Sequence, residues 1–267
     1  MRAFEPSGMK SFLFALIFVP FCLKAQNGGK DTLKTASDTL KWKADLSLTG
    51  IYQGGNVEAL IFRAKANVRY RPSEKWSFQT TNSYVYQEFG KEKADEDVLS
   101  LNFLYFKPER RLHPLLLAFV STNFRRKIDL RYLLGGGIAY QVLDKNGNWL
   151  KVALTSEYER TNFNEDDFNL EEYDGYRSIN TLRSTIWLNG KYYLFKKKVI
   201  FSHENYYQPS LLKGNNYRWQ ADLSLDFPIW EFLSFKINYR HTSESVVIAS
   251  QQKEDRFLTV GFTLKYY

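Results

Sequence analysis

The sequence has very few of the residues that form disulfides or bind transition metals. Its 267 residues include one cysteine, Cys22, and three histidines. Cys22 lies in a segment that we predict to be removed, so the mature chain can form no disulfide and must be stabilised by noncovalent packing. His113, His203 and His241 show no ligand-like spacing, which disfavours a transition-metal site. We therefore expect no metal and no cofactor.

Long apolar runs are also missing. After residue 25 no run approaches the roughly 18 residues of a membrane-spanning helix, which excludes helical spans. At the N-terminus, Lys10 precedes a mostly apolar run over residues 11–23, which Lys24 and Ala25 follow. Such a run is too short to cross a bilayer and is typical of a cleavable export signal. We predict a signal peptide over residues 1–25, whose removal lowers the net charge from +8 to +6.

Two details of this segment have alternatives. Met9 is a second candidate for the start of translation. Cys22 could carry a lipid, but Phe21 and Pro20 precede it where a lipoprotein peptidase requires small residues. We therefore favour cleavage near Ala25 over lipidation.

The rest of the chain is dominated by alternation of apolar and polar residues, which predicts β-strands. Residues 26–40 are polar and have no clear period, so we predict a flexible periplasmic leader. We predict that residues 41–267 form about twelve strands, over 41–53, 57–71, 75–89, 97–107, 115–125, 130–143, 149–162, 177–194, 198–208, 216–227, 231–244 and 255–267. Many strands with no covering helix favour a closed antiparallel transmembrane β-barrel, apolar outside and polar inside. Ten or fourteen strands would fit the same pattern.

The links between these strands predict the orientation of the barrel. Every second link is a tight turn rich in Pro, Gly and Asn, over 72–74, 108–114, 144–148, 195–197 and 228–230. The intervening links are 54–56, 90–96, 126–129, 164–176, 209–215 and 245–254, and four of these are longer. Outer-membrane barrels place short turns in the periplasm and longer loops outside. Both termini are therefore expected at the periplasmic side.

Aromatic residues form two predicted belts at the membrane interfaces. The periplasmic belt comprises Trp42, Trp76, Trp149 and Trp230, and the outer belt comprises Tyr52, Tyr84, Tyr86, Tyr158, Tyr206, Tyr207 and Tyr217. A soluble lipocalin-like or sandwich protein would also show alternation, but it would bury its apolar face and need no such belts. The belts therefore favour the membrane barrel.

Charged residues of both signs alternate onto the predicted inner face. They are Asp45, Arg63, Lys65, Arg69, Lys151, Glu157, Asp222, Asp226, Lys236 and Arg240. These side chains either line an anion-preferring water path or pair with one another and fill the lumen. About eight strands leave a filled interior and 16 or more leave a channel, so twelve strands favour a narrow or occluded lumen. Inward-facing arginines cannot meet a duplex, so we expect no nucleic-acid partner.

Two segments resemble a known family. A Gly54-Gly55-Asn56 turn joins the first two alternating strands, and residues 233–267 contain Ser243, a long hairpin loop, Asp255 and a terminal alternating strand. In these features the chain resembles the salt-induced outer-membrane protein family of YdiY-like barrels. The resemblance implies a barrel over most of residues 41–267 and no assigned biochemical activity. Tyr266 is in phase with the lipid-facing row, whereas Tyr267 lies one residue beyond it.

His241 and Ser243 are the strongest candidates for catalysis. Both share the phase of the lipid-facing row near the outer end of their strand. A serine activated by a histidine at the lipid boundary resembles the arrangement in outer-membrane phospholipase A and lipid A deacylase. Those families follow the serine with asparagine, whereas this chain has Glu244. We favour an interfacial histidine and a loop-entry serine over an acyl-ester hydrolase.

Three further segments carry weaker signals. The acidic loop over residues 164–176 could hold a divalent cation, but its spacing matches no calcium loop and a solvated external loop is favoured. The lysines 196–198 are expected to touch anionic headgroups. Three glycines, 135–137, predict a bulge or a neighbouring aromatic side chain over bare backbone.

Together these patterns predict a non-enzymatic, porin-like barrel of the bacterial outer membrane. Its role would be that of a narrow pore or of a structural barrel that responds to envelope stress or salt. The alternative is a lipid acyl-ester hydrolase that uses His241 and Ser243. We expect a monomer whose partners are outer-membrane lipids and lipopolysaccharide, with the barrel-assembly machinery as a partner during biogenesis.

Overall fold

A computed structural model describes residues 41–54 and 58–266. The predicted signal peptide (1–25), the predicted leader (26–40), residues 55–57 and Tyr267 lie outside the described residues. Among the residues described, no helix is long and apolar enough to cross a membrane. The strands are β1 (Trp42–Gln53), β2 (Ala59–Ser73), β3 (Trp76–Phe89), β4 (Glu92–Phe106), β5 (Leu112–Asn123), β6 (Ile128–Lys145), β7 (Asn148–Phe163), β8 (Ser178–Leu194), β9 (Val199–Pro209), β10 (Tyr217–Pro228), β11 (Leu233–Glu244) and β12 (Glu254–Tyr266).

The strands form one closed barrel in which each strand pairs antiparallel with its neighbours in the sequence. The barrel closes between β1 and β12, where Ala44 pairs with Tyr266 and Gly50 pairs with Val260. Closure leaves no free sheet edge, so every strand has hydrogen-bonded neighbours on both sides. The predicted twelve-stranded antiparallel barrel is confirmed.

The wall of the barrel is apolar outside and polar inside, as β12 illustrates. Leu258, Val260 and Phe262 are 59%, 42% and 51% exposed, whereas the intervening Thr259 and Thr263 are 2% and 3% exposed. This pattern reverses that of a soluble protein, in which apolar residues are buried. Strand pairing satisfies the backbone N–H and C=O groups, and the outer face presents apolar side chains to acyl chains.

Most of the predicted belt residues lie at the ends of strands. Trp42 and Trp76 begin β1 and β3, and Trp230 lies in the turn after β10. At the opposite ends, Tyr52 is 77% exposed and Tyr158 is 45% exposed. Tyr84, Tyr86, Tyr207 and Tyr217 share the outward phase of their strands. A headgroup-level role for these residues stays a prediction.

Two of the belt residues are placed differently from the prediction. Tyr206 packs inside the barrel, with its ring centroid 5.2 Å from that of Trp187. Trp149 shares the strand phase of Lys151 and pairs in register with Lys191, so alternation puts it on the inner face. Phase carried this signal, because Trp149 lies two residues before the predicted lumen residue Lys151, and adjacent Tyr206 and Tyr207 cannot both face outward.

The predicted long loop over residues 90–96 is wrong. The link is a tight turn at Gly90 and Lys91, which have φ values of 57° and 68°, and β4 begins at Glu92. Two successive left-handed residues suit the twist of a two-residue hairpin. The charged residues that suggested a loop belong to β4, where Asp95 is fully buried inside the barrel. The longer links are therefore those after β7, β9 and β11.

The glycines of β6 allow close approach of the neighbouring backbone. A Cβ atom at Gly135 would lie 2.1 Å from the carbonyl oxygen of Ser156, and one at Gly137 would lie 2.0 Å from that of Leu154. The predicted bulge is wrong at these positions, because the β6–β7 register shifts only between Ile128 and Leu130 and between Gln141 and Leu143. The glycines therefore allow close strand packing in the wall, where Gly136 lies beside the side chain of Leu116.

Candidate functional site: the filled lumen

A buried carboxylate, Glu159, organises the outer half of the lumen. It is 1% exposed and lies on the inner face of β7. Arg183 Nε donates to Glu159 Oε2 at 2.8 Å, and Arg218 Nη2 donates to the same oxygen at 2.5 Å. Arg131 Nε lies 3.9 Å from Glu159 Oε1. One carboxylate thus joins arginines from three other strands, β6, β8 and β10.

Other ion pairs reach nearly across the barrel. Arg131 binds Glu244 through both terminal nitrogens, at 2.9 and 2.7 Å. Arg126, in the loop after β5, donates to Asp255 Oδ2 at 2.7 Å. The first pair joins β6 to β11, and the second joins the end of β5 to β12, each five places apart around the barrel. We call these pairs, together with the Glu159 cluster, the ion-pair layer.

The middle of the lumen is joined in the same way. Arg63 Nη2 donates to Asp222 Oδ2 at 2.7 Å, which links β2 to β10. Asn238 Nδ2 donates to the other oxygen of Asp222 at 2.6 Å. Lys65 Nζ lies 2.6 Å from Glu204 Oε2 and so links β2 to β9. These contacts place Arg63, Lys65 and Asp222 inside the barrel and extend the ion-pair layer to its middle.

Three of the other predicted lumen residues bind neighbours along the wall. Asp45 accepts a hydrogen bond from Asn67 at 2.7 Å, and Glu157 accepts one from Thr185 at 2.9 Å. Asp226 accepts from Thr263 at 2.9 Å. These carboxylates are therefore satisfied by residues on the next strand or the one after it.

The remaining predicted lumen residues are basic. Lys236 Nζ lies 3.4 Å from Asp226 Oδ2. The ammonium of Lys151 lies 4.1 Å from the ring centroid of Tyr105, and Arg69 Nε donates to the side-chain oxygen of Gln79 at 3.0 Å. Arg240 pairs in register with Asp222, but among the described residues no carboxylate lies within 4.0 Å of its guanidinium.

An apolar layer lies below the ion-pair layer, toward the end with the short turns. Its buried members are Phe103, Tyr105, Leu115, Leu117, Ala139, Ala153 and Trp187. Phe103 packs edge-on against Trp187, with ring centroids 5.4 Å apart. We call this group the aromatic layer. It explains why β4, β5 and β8 show poor alternation, because both of their faces carry apolar residues.

The outer mouth is covered by the long loops after β7 and β11. Buried apolar residues from the loops and strand ends form one cluster, Ile128, Phe163, Phe168, Tyr173, Ile179, Val246 and Ile248. Phe168 and Ile248 form a β-bridge, and Asn169 N donates to Val247 O at 3.0 Å. The loop is external as predicted, and its acidic residues Asp167, Glu171 and Asp174 are exposed, but Phe168 and Tyr173 are buried and pack over the lumen.

The acidic side chains of this loop lie apart and bind separate partners. Glu165 lies 3.0 Å from Lys127, and Asp174 accepts a hydrogen bond from the backbone N–H of Phe168. Lys213 Nζ donates to Glu172 at 2.9 Å, and this hydrogen bond holds the pKa of Glu172 below its ordinary value. Among the described residues no group of three or more His, Cys, Asp or Glu side chains could hold a metal ion.

The predicted catalytic pair is not assembled. Among the described residues Ser243 Oγ has no hydrogen bond to His241. His241 Nε2 instead lies 3.2 Å from Glu254 Oε2 and accepts a hydrogen bond from Arg256 Nε at 3.3 Å. Its ring packs against Trp219, with centroids 4.5 Å apart. A nucleophile needs a base within hydrogen-bond reach, and the structure supplies none to Ser243.

Sequence reasoning missed most of the ion-pair layer. Its unpredicted members are Arg126, Arg131, Glu159, Arg183, Glu204, Arg218, Glu244 and Asp255. The available signal was phase, because Glu159 lies two residues after Glu157 and therefore shares its inner face. Arg126 has no such signal, since it lies in a loop that folds back into the lumen.

Solved structures with a similar fold are outer-membrane barrels. The NanC porin is 12% identical with a TM-score of 0.52, over 83% of this chain and 100% of that chain. The KdgM porin is 12% identical with a TM-score of 0.44, over 84% and 99%. The translocator domain of the autotransporter NalP from Neisseria meningitidis is 14% identical with a TM-score of 0.44, over 88% and 93%. At 12% identity, the likeness to NanC shows the fold alone.

Comparison of sequences identifies the family. No curated protein matches the chain significantly. The family model described as "Protein of unknown function, DUF481" matches residues 34–266. The chain therefore belongs to this family, the YdiY-like barrels that its motifs resemble, and is a β-barrel protein of the bacterial outer membrane.

Proposed function

We propose that the protein is a non-enzymatic, structural barrel of the outer membrane whose lumen is closed at rest. The observation that carries this proposal is the set of ion pairs that join strands five places apart, Lys65 with Glu204, Arg131 with Glu244, and Arg126 with Asp255. Such pairs hold opposite walls together and occupy the space through which a solute would pass.

Two cavities lie among the side chains of the ion-pair layer. A cavity of about 50 Å³ lies beside Arg126 and Arg240, and one of about 10 Å³ lies beside Arg183. The smaller is about the size of one water molecule and the larger has room for a few. A twelve-stranded barrel could hold an open or a filled interior, so the side chains decide, and here they support a filled one.

The buried pairs also resist opening. Breaking a buried ion pair by removing one partner costs roughly 3–5 kcal/mol, because the other charge is left without compensation. An ion passing through the lumen would have to separate several pairs and also displace the loop cluster of Phe168 and Ile248. Spontaneous opening is therefore expected to be rare.

Conductance of planar bilayers tests the closed lumen. The refolded protein is expected to give no stepwise current. The double variant Arg131→Ala/Glu244→Ala removes both charges of one crossing pair, and it is expected to give occasional brief current steps that the parent lacks, because one pair fewer has to separate for an ion to pass. The matched control is Arg177→Ala/Asp166→Ala, which removes a pair on the exposed loop whose side chains are 69% and 48% exposed.

Either of two results would contradict the closed barrel. Regular current steps from the parent protein would show an open pore at rest. Equal currents from the lumen variant and the loop control would show that the crossing pair does not block the path.

The non-enzymatic part of the proposal is supported by the surroundings of Ser243. Its neighbour His241 is engaged by Glu254 and Arg256, so no base activates the hydroxyl. Incubation of the purified protein with phospholipid vesicles is therefore expected to release no fatty acid. Release by the parent protein that the Ser243→Ala variant abolishes would restore the hydrolase alternative.

A further inference from the structure

The charges of the lumen are distributed unevenly between its two ends. In the outer half and the middle, nearly every carboxylate meets an arginine or lysine. At the end with the short turns, the inward-facing positions include five basic residues and three acidic ones. The basic residues are Arg69, Lys151, Lys191, Lys236 and Lys265, and the acidic ones are Asp45, Asp144 and Asp226. We call this set the vestibule.

Several vestibule cations have no carboxylate close by. Among the described residues, Arg69, Lys151, Lys191 and Lys265 have none within 4.0 Å. Lys265 Nζ donates instead to Ser234 Oγ at 2.9 Å, and Lys191 lies 5.6 Å from the ring centroid of Tyr193. Asp226 is already engaged by Lys236 and Thr263. The vestibule therefore carries a surplus of positive charge that its own residues do not neutralise.

The register gives Lys265 no free carboxylate partner on the neighbouring strand. Lys265 lies opposite Asp45, but Asp45 already accepts a hydrogen bond from Asn67.

The aromatic layer forms the floor of the vestibule. Tyr105, on this floor, faces the ammonium of Lys151. Short turns mark the periplasmic end of an outer-membrane barrel, so the vestibule opens toward the periplasm. A concave, partly enclosed surface of one charge concentrates ions of the opposite charge. Ammonium and guanidinium groups form their strongest hydrogen bonds with phosphate and carboxylate oxygens.

We propose that the vestibule binds an anionic solute of the periplasm that carries phosphate or carboxylate groups. This proposal rests on the closed lumen proposed above, because a solute that enters from the periplasm is then held and cannot pass outward. Lys191 and Lys265 contact the anion at the mouth, and Arg69 and Lys151 contact it near the aromatic floor. Several cations spread around one opening suit a solute with more than one negative charge.

Calorimetric titration with inorganic phosphate tests the site. The refolded barrel in a zwitterionic detergent at low salt is expected to bind phosphate saturably. The double variant Lys191→Gln/Lys265→Gln is expected to raise the Kd about tenfold or more, because two charge-assisted contacts are lost. The matched control is Lys91→Gln, at the opposite end of the barrel, where the side chain is 79% exposed. Absence of saturable binding by the parent, or equal weakening by the control, would overturn the proposal.

A second measurement reports the local charge without any ligand. Ser202 lies on the inner face opposite Lys191, and Ser250 lies in an exposed external loop. For Ser202→Cys, the ratio of the reaction rate of an anionic methanethiosulfonate reagent to that of a cationic one is expected to be about tenfold higher than for Ser250→Cys. Phosphate should slow the anionic reagent only at position 202. Equal rate ratios at the two sites, or no reaction at position 202, would contradict the vestibule. Neither measurement depends on bilayer current, so its failure is distinct from failure of the closed lumen.

Discussion

At the scale of single residues, the interior depends on one carboxylate among three guanidiniums. Glu159 neutralises Arg183 and Arg218 directly and lies within 4.0 Å of Arg131. All four side chains are less than a tenth exposed. Loss of the single negative charge would leave cations buried together, and repulsion between them would add to the cost of their desolvation.

We therefore predict that Glu159→Gln destabilises the barrel by about 3–5 kcal/mol. Urea unfolding in detergent micelles, followed by tryptophan fluorescence, measures the change. The matched control is Glu157→Gln, two residues away on the same face, whose carboxylate accepts hydrogen bonds from Thr155 and Thr185. The control should lose clearly less stability, and equal losses would contradict the central role of Glu159.

The glycines of β6 support a second prediction at this scale. Gly137→Ala is expected to destabilise the barrel by about 1–3 kcal/mol, because the new methyl group would meet backbone that cannot move aside easily. Gly214→Ala is the control, since an added Cβ there has no neighbour within 4 Å. The same unfolding experiment compares the two variants. Equal stabilities would show that the sheet adjusts at Gly137.

At the scale of elements, sequence alternation predicts strands best where the lumen is polar. In β12, apolar and threonine residues alternate cleanly, and the predicted strand 255–267 differs from the observed one by a residue at each end. In β4, Phe103 and Tyr105 face inward, while the acidic residues at its start resemble a loop. Alternation fails there because it depends on a difference in polarity between the two faces of a strand. The aromatic layer makes the inner face apolar as well and so removes that difference.

The external loops illustrate contacts that no local pattern reveals. The segment after β7 is tied to the segment after β9 through Glu172, which accepts hydrogen bonds from Lys213 and Asn215. These hydrogen bonds keep the pKa of Glu172 below its ordinary value of 4.5. A carboxylate with a lowered pKa stabilises the folded arrangement above its unfolded pKa, and this contribution is lost as pH falls through the folded value.

We predict that the hydrogen bonds of Glu172 with Lys213 and Asn215 weaken in acid. Amide hydrogen exchange over residues 164–177 should be slower in the parent than in Glu172→Gln at about pH 6, where the carboxylate is ionised. The difference should shrink below the ordinary pKa near 4.5 and vanish once Glu172 is protonated. Comparison at each pH removes the intrinsic pH dependence of exchange. A difference that persists unchanged at about pH 2 would contradict the role of the charge.

At the scale of the whole molecule, the architecture was predictable and the contents of the lumen were only partly so. A period of two, repeated about a dozen times between alternating short and long links, leaves few folds other than a barrel. Phase also placed Arg63, Lys65 and Asp222 on the inner face. Which side chains meet across the lumen depends on tilt and register around the ring, and these are long-range properties that alternation does not encode.

The join between β1 and β12 has a consequence for how the molecule is made. Hydrogen bonds between Ser47 and Thr263 and from Thr259 to Thr49 connect positions more than 200 residues apart. Every other pairing is a hairpin that can form locally, so sealing the ring waits for the last strand to arrive. A polypeptide interrupted before β12 would have two unpaired strand edges that could pair with strands of other molecules. The seam therefore acts as a check on synthesis of the barrel, since only a chain that includes β12 can pair both of these strand edges.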